Sequence, residues 1–397
     1  MRLHHADGTV VHLAYCTNVH AGDDLDDVLA HLDRFVLPVR RHLGSDLLGV
    51  GLWLAAPAAR ELANDPTVTD GLRRALASRG LEAVMLNAFP YRGFQEPVVK
   101  QRVYHPDWSQ ADRLEYTVDC AAVLARLLPD DAARGSVSTL PFAWRTRWDD
   151  GLHRAALDNL SRLGDALEGI EASTGRSVRV GLEPEPGCVL ETTADAVERL
   201  PGVDPDRVGV SLDLCHLAVG FEDPGATLSA LAAAGLPVTK AQVSAAVHAE
   251  DPADPATRRA LAEFDEVRFL HQVRGRHPDG SVDARDDLPD ALDGEDPLAE
   301  RCPDGSPVPW RVHFHVPLDA EPQPPLTSTR AHTRSSLAAL VGGPSAVTDH
   351  LEVETYTWGV LPEAARPRTD DDLARRIAGE VAWVRDQLID LGLKEMP

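Results

Sequence analysis

Seven short runs of β-forming, nearly all-apolar residues recur along the first 245 positions, each followed by a stretch with helical spacing. No other feature of the sequence constrains the fold as strongly. The runs are HLAYCTNV at 12–19, LLGVGLWL at 47–54, LEAVMLNAFP at 81–90, GSVSTLP at 135–141, VRVGLEPEPG at 178–187, VGVSLDLCH at 208–216 and PVTKAQVSA at 237–245. Between them, DDLDDVLAHLDRFVLPVRRHL places apolar residues at 25, 28, 29, 32, 35 and 36, one face of a helix, and DNLSRLGDALEGIEAS repeats the pattern. Strands that are continuous apolar runs are buried on both faces, which a parallel sheet covered by helices achieves. An eighth run, HLEVETYTW at 350–358, precedes a helix with a Thr369 cap, Asp372 three residues on, and a stripe at Leu373, Ile377, Val381, Val384, Leu388 and Leu391. Eight βα units close a barrel, so the expectation is an α/β fold, a (β/α)8 TIM barrel, forming a single domain over 1–397. An open doubly wound sheet is the alternative topology, but no GxGxxG or GxxxxGK[ST] string follows any strand.

The rhythm breaks between 246 and 349. That stretch is acidic and rich in Pro and Gly, as in HPDGSVDARDDLPDALDGEDP, and reads as an insertion between strands 7 and 8 that covers one face. It holds one further strand-like run, WRVHFHVPL at 310–318.

Composition narrows the function classes. With 39 Lys and Arg against 63 Asp and Glu the net charge is −24, so the summed field repels phosphate backbones and argues against nucleic acid or an anionic membrane as partner. No apolar run approaches the ~20 residues of a membrane span, and MRLHHADGTVV lacks the layout of a signal peptide, which points to a soluble cytoplasmic protein. Five cysteines (Cys16, Cys120, Cys188, Cys215, Cys302) at irregular spacing indicate neither a disulfide framework nor a zinc knuckle, and read as small buried residues.

In a parallel barrel the active site forms at the carboxyl ends of the strands. Unit five ends in Glu183, unit six in Asp213 and His216, unit seven in Gln242, and unit eight in Glu354 with Glu352 two residues before it. Glu183 to Asp213 is 30 residues and Asp213 to Gln242 is 29, one βα unit each, so successive strands deliver an oxygen ligand to one ring. Carboxylates crowded in a low-dielectric mouth need a compensating cation. The donor set favours one divalent metal ion, Mn²⁺, Mg²⁺ or Co²⁺, with Zn²⁺ also compatible. Such an ion polarises a carbonyl and hydroxyl, and a carboxylate on either side of a bound sugar moves the proton next to the carbonyl, as aldose–ketose isomerisation or epimerisation requires.

The strings GLEPEPG, SLDLCH, KAQVSA and EVETYTW resemble the strand ends of the xylose isomerase-like TIM barrels, a superfamily that includes tagatose epimerases, hydroxypyruvate isomerase and endonuclease IV. Gln242 most resembles hydroxypyruvate isomerase, whose metal quartet is Glu, Asp, Gln and Glu; sugar epimerases carry a histidine there. Along nearly the whole chain, AYCTNVH, LNAFPY, VYHPDW, STLP, FLHQVRGR, HFHVP and LEVETYTW resemble the EboE family, called metabolite traffic proteins. The resemblance implies metal contacts from Glu183, Asp213, Gln242 and Glu354, an acid/base role for Glu183 and Glu354, and His216 near the substrate. A sugar-like metabolite and other proteins of an EboE-type secondary-metabolite pathway are the partners it suggests.

Each of these residues also has a plainer reading. Glu185 competes with Glu183, since residues two apart share a strand face, and Glu352 competes with Glu354, which lies nearer the mouth. His216 is either a ligand or an orienting group. His313 and His315 alternate with Val312, Phe314 and Val316, forming either a polar face of the insertion strand or a lid that points His315 into the pocket. Arg274 and His271 either meet an anionic substrate group or form a salt bridge. Tyr15, Asn18 and Asn87 either bond sugar hydroxyls or cap strands. Trp53, Phe89, Trp108, Trp144 and Trp358 read as core or pocket wall. The sequence therefore supports an isomerase or epimerase first and a non-catalytic carrier using the same pocket second. Phosphodiester hydrolysis in the manner of endonuclease IV is disfavoured by the charge and by too few histidines on the early strands.

Overall fold

A computed structural model describes residues 1–295 and 297–396. Eight parallel strands form a ring in chain order: β1 (Val10–Cys16), β2 (Leu48–Trp53), β3 (Leu81–Ala88), β4 (Gly135–Thr139), β5 (Val178–Leu182), β6 (Val208–Asp213), β7 (Val238–Val243) and β8 (His350–Val353). Pairing of β8 with β1, His350 opposite His12 through Val353 opposite Tyr15, closes the barrel. The eight runs read from sequence are these eight strands, and the closure excludes the open sheet. The residues of β2, β3 and β4 are buried throughout, as strands covered on both faces must be.

Helices cover the outside. Asp149 accepts from the amides of Gly151 and Leu152 to start Asp150–Thr174, and Thr369 accepts from Asp372 N to start Asp370–Asp390. That last helix buries Ile377, Val381, Val384 and Leu388 along the expected stripe. At the amino end of the barrel, Arg2–His4 and Lys394–Glu395 add two antiparallel strands beside β1.

The excursion expected over 246–349 divides at Thr329. Residues 247–328 carry a five-stranded antiparallel sheet, ordered Val282–Arg285, Val273–Arg276, Trp310–Val312, Val247–Ala249 and Thr327–Ser328. Residues beyond it belong to the barrel, because Arg330–Val341 is the helix that follows β7. The neck is stapled: Ala246 N donates to Thr329 Oγ1 at 2.8 Å and Thr329 N donates to the Ala246 carbonyl at 2.9 Å. The strand-like run at 310–318 is shorter than its sequence suggests. Pairing stops at Val312, where the His313 amide turns to the Gln272 carbonyl and the Phe314 amide to the Val312 carbonyl, so the two histidines sit past the strand rather than on its face. One cluster of buried apolar side chains runs from the barrel core into the lid, through Trp310, Val312 and Phe314. All five cysteines are buried and free.

Candidate active site at the carboxyl end of the barrel

Register fixes the site. Asp213 on β6 stands opposite Gln242 on β7, and Gln242 opposite Glu352 on β8. Glu183 follows the last residue of β5, its amide held by the Thr139 carbonyl at 2.9 Å. Glu183, Asp213 and Glu354 bring carboxylate oxygens within 4.8 Å of one another, all three side chains buried.

Each is held differently. Asp213 Oδ1 is saturated, accepting from Cys215 N (2.7 Å), His216 N (3.0 Å) and Ser244 Oγ (2.8 Å). These bonds aim Oδ2 at the mouth with no donor of its own. Glu354 Oε1 accepts from Asn18 Nδ2 (2.7 Å) and Asn87 Nδ2 (2.9 Å), which orients Oε2. Glu183 Oε2 has Ser211 Oγ at 3.3 Å. Gln242 Nε2 reaches Ser138 Oγ at 3.5 Å, and its Oε1 is unpaired.

Burial and the neighbouring Asp213 push Glu183 well above the carboxylate range, and burial with Glu183 and Asp213 does the same to Glu354. Burial also opposes charge on Asp213, but His216, His315 and its hydrogen bonds outweigh it and hold Asp213 low. The negative charge of the cluster therefore rests on Asp213 unless a cation joins it.

The lid brings His315 over this ring. Its Nδ1 donates to the Glu354 carbonyl at 2.6 Å, so the neutral ring turns an Nε2 lone pair toward Asp213 Oδ2, 3.7 Å away. Asp213 Oδ2, Gln242 Oε1 and His315 Nε2 are thus buried acceptors without donors. A buried polar atom left unpaired is costly, and three acceptors in one mouth fit a cation.

Above the carboxylates lies a cavity of about 50 Å³. Phe89, Phe94, Tyr104, Phe269 and Tyr356 form much of its wall, with Asn18, Asn87, His216, His313 and His315 among its polar groups. Most of the lining residues belong to six of the longer strings, AYCTNVH, LNAFPY, VYHPDW, FLHQVRGR, HFHVP and LEVETYTW.

Other sequence candidates lie elsewhere. Arg274 is buried against Glu191, Nε to Oε1 at 2.7 Å, outside the cavity, because the pairing of Val273–Arg276 turns it away. His271 Nδ1 donates to the His313 carbonyl and its Nε2 faces Glu266 Oε1, both at 2.9 Å, contacts that lie within the lid. Tyr15 is buried with its hydroxyl 3.3 Å from His20 Nε2. Trp53, Trp108, Trp144 and Trp358 are buried core, whereas Phe89 lines the cavity. Glu352 is taken by Lys240, both fully buried in direct contact inside the barrel. Gly51 makes that possible, since a Cβ there would lie 1.2 Å from Glu352 Oε1.

Glu185 is neither equivalent to Glu183 nor idle. The chain leaves β5 at Leu182 and turns, and Glu185 Oε1 accepts from Tyr104 Oη (2.7 Å) and Gln272 Nε2 (3.2 Å). Burial pushes it up to about 8. Tyr104, Gln272, Tyr356 and Lys240 were not legible as site residues. Only the strings VYHPDW, FLHQVRGR and LEVETYTW carried any signal for the first three.

Residues 43–281 match the profile of the family described as xylose isomerase-like TIM barrel. Among solved structures, an L-ribulose 3-epimerase aligns with a TM-score of 0.50 and 12% identity over 96% of this chain and 95% of its own. A xylose isomerase-like TIM barrel protein from Mycobacterium smegmatis, in complex with magnesium, aligns with a TM-score of 0.50 and 14% identity over 95% of this chain and 98% of its own. No curated protein matches the chain at a significant level. No helix among the described residues is long and apolar enough to cross a membrane.

Proposed function

Because the chain belongs to the xylose isomerase-like TIM barrels, we propose that it is a metal-dependent isomerase or epimerase of a small polyhydroxy or hydroxycarbonyl metabolite. The observation that carries this reading is the meeting of Glu183, Asp213 and Glu354 beside buried acceptors that have no donor. Glu183, Asp213, Gln242 and Glu354 would hold one divalent ion of the Mn, Mg, Co or Zn kind, with His315 closing the site from the lid. Such an ion supplies Lewis-acid polarisation of a carbonyl and its neighbouring hydroxyl. The magnesium-bound protein of the same fold supports that choice of ion, and the epimerase of the same fold supports the reaction class.

The rest of the chemistry falls to the chain itself. Glu354, fixed through Oε1 by two asparagines, keeps Oε2 free to take or return a proton at the carbon beside the carbonyl. Glu183 arrives from β5, three strands away round the barrel, and is the partner that serves the other face. His216 stands against the substrate, its orientation set by the Pro184 carbonyl at 2.9 Å. The aromatic wall excludes water and protects a reactive intermediate from side reactions.

Six of the seven strings that resemble EboE contribute to the cavity wall, so we place the reaction in an EboE-type secondary-metabolite pathway, with other proteins of that pathway as partners. The same observation favours a second reading, in which the cavity holds an intermediate for delivery without reaction. Metal analysis of the purified protein, followed by NMR of solvent deuterium entering candidate sugars, separates these. Bound metal with deuterium at the carbon beside the carbonyl is the expected result. Tight binding without exchange establishes the carrier, and absence of both metal and exchange overturns the enzyme.

A further inference from the structure

At the seam between lid and barrel, two guanidinium groups gather on one aromatic ring with no anion to pair them. The short helix Leu214–Val219, which Asp213 caps and which carries His216, ends in a Schellman turn: Phe221 N donates to the Ala218 carbonyl (2.9 Å) and Glu222 N to the Leu217 carbonyl (3.1 Å). Such a turn needs one left-handed residue, ordinarily glycine, yet Phe221 takes that place at φ +55° although Gly220 stands directly before it. The strained backbone puts the half-buried ring under the lid. Arg311 Cζ lies 4.2 Å and Arg276 Cζ 5.8 Å from its centroid.

Both arginines come from the lid sheet. Arg311, on Trp310–Val312, stands opposite Arg274 on one neighbouring strand and His248 on the other, and Arg276, two residues on from Arg274, shares their face. Like charges placed opposite one another repel, and Arg274 is neutralised by Glu191. Arg311 has no such relief. It is half-buried, it commits Nη1 to the Ala218 carbonyl (2.6 Å), and its Nε is buried without a partner. Arg276 is exposed, and among the described residues no carboxylate pairs with either guanidinium. The acidic groups on flanking segments are engaged elsewhere: Glu250 with His248 Nε2 (3.1 Å), Glu222 with the Thr193 amide (3.0 Å) and Asp223 with the Ala226 amide (2.8 Å). Burial and Arg276 lower the Arg311 guanidinium to about 10, so it stays charged at neutral pH, whereas burial holds His248 and His332 below the ordinary imidazole range.

We propose that Arg276 and Arg311 form an anion site at the lid–barrel seam that takes a phosphoryl group, either inorganic phosphate or the phosphate of a small metabolite. Two unpaired guanidiniums call for close to two negative charges, which a phosphoryl group carries at neutral pH and a carboxylate does not. Their planar forks also match phosphate oxygens. The net charge of −24 repels polyanions, so the ligand is small rather than a nucleic acid. An anion held there ties the lid to the helix that carries His216, because Arg311 already bonds that helix. The inference stands on the two arginines and does not need the carboxylate ring to hold an ion.

The test is calorimetric titration of the full chain with inorganic phosphate, glycerol 3-phosphate and acetate at low ionic strength, alongside amide exchange of residues 214–222. One phosphate or glycerol 3-phosphate per chain should bind, about tenfold or more tighter than acetate, and should slow exchange in that segment. Tighter binding of glycerol 3-phosphate than of phosphate assigns the site to a phosphorylated metabolite; otherwise inorganic phosphate is the ligand. Arg276→Gln, at an exposed position with no partner to lose, should weaken binding about tenfold or more, as should Arg311→Gln where it folds. Asp213→Asn should leave binding unchanged. Absence of binding by both phosphates, acetate binding as tightly as they do, or affinity unchanged in Arg276→Gln overturns the proposal. Binding lost in Asp213→Asn but kept in Arg276→Gln overturns it too, by placing the phosphate on an ion in the carboxylate ring.

Discussion

At the amino end of the barrel Glu82 sits among cations, whereas at the carboxyl end Glu183 and Glu354 sit among other carboxylates. Glu82 accepts from Arg2 Nε (2.9 Å) and Nη2 (2.6 Å) and has His12 Nδ1 at 3.3 Å. Although burial opposes its charge, His12 and Arg2 win and draw it down to about 2. Glu183 and Glu354 are buried as deeply, yet go the other way because their neighbours carry the same sign. Burial alone does not decide which way a carboxylate titrates; the partner's charge does. Between the two ends, Lys240 and Glu352 cancel each other inside the barrel. One end thus contributes stability, and the other stores repulsion that a ligand can relieve.

The largest expected effect is at the amino end. Glu82→Gln leaves Arg2 and His12 without their buried anion and should cost about 3 kcal/mol in urea unfolding. Because folding lowers the Glu82 pKa, its contribution is fully present above the ordinary carboxylate value and fades as pH falls toward about 2. The variant should therefore lose less stability than wild type between pH 5 and 2, a pH series chosen to bracket those values. Equal acid sensitivity would show that the amino end is not organised around this carboxylate.

A smaller effect is expected at the mouth. Asp213→Asn keeps the shape and its contacts with Cys215 and His216 but removes charge, so divalent-ion affinity should fall about tenfold or more by competition titration. Unchanged affinity would remove Asp213 from the ligand set.

The smallest effect has the opposite sign. Glu183→Gln, measured at neutral pH with a chelator present, should raise stability by about 1 kcal/mol, because folding then no longer has to protonate a buried carboxyl that is ionised in the unfolded chain. If it destabilises as Glu82→Gln does, the contrast between the two ends is lost.

The barrel was legible because each strand is a continuous apolar run and each step is one βα unit, so that Glu183, Asp213 and Gln242 could be placed by counting. Asn18 and Asn87 were legible as strand-end polar groups, but not as the pair that grips one oxygen of Glu354. The lid was opaque. Its strands are two to four residues long, too short for period-two alternation to show, and they pair antiparallel across irregular loops. The contact that orients His313 spans 41 residues of sequence to Gln272, and the one that holds Glu185 spans 81 to Tyr104. Spacing within an element cannot encode such contacts. Likewise Glu352 reads as a ligand candidate until Lys240 and Gly51 are seen around it.

The stapled neck makes the lid a transferable part. Ala246 and Thr329 meet through two hydrogen bonds directly after β7 and directly before the helix that follows it, so the chain re-enters the barrel beside where it left. Insertion or shortening within 247–328 leaves the register of β7 untouched, provided that apolar side chains still cover the barrel core where Trp310, Val312 and Phe314 now pack. Glu183, Asp213, Gln242 and Glu354 stay with the barrel in any such exchange, while Phe269, His313 and His315 leave with the lid. What the mouth can do to a substrate and which substrate it admits are therefore inherited through separate stretches of gene, and recombination at one pair of residues can change the second while keeping the first.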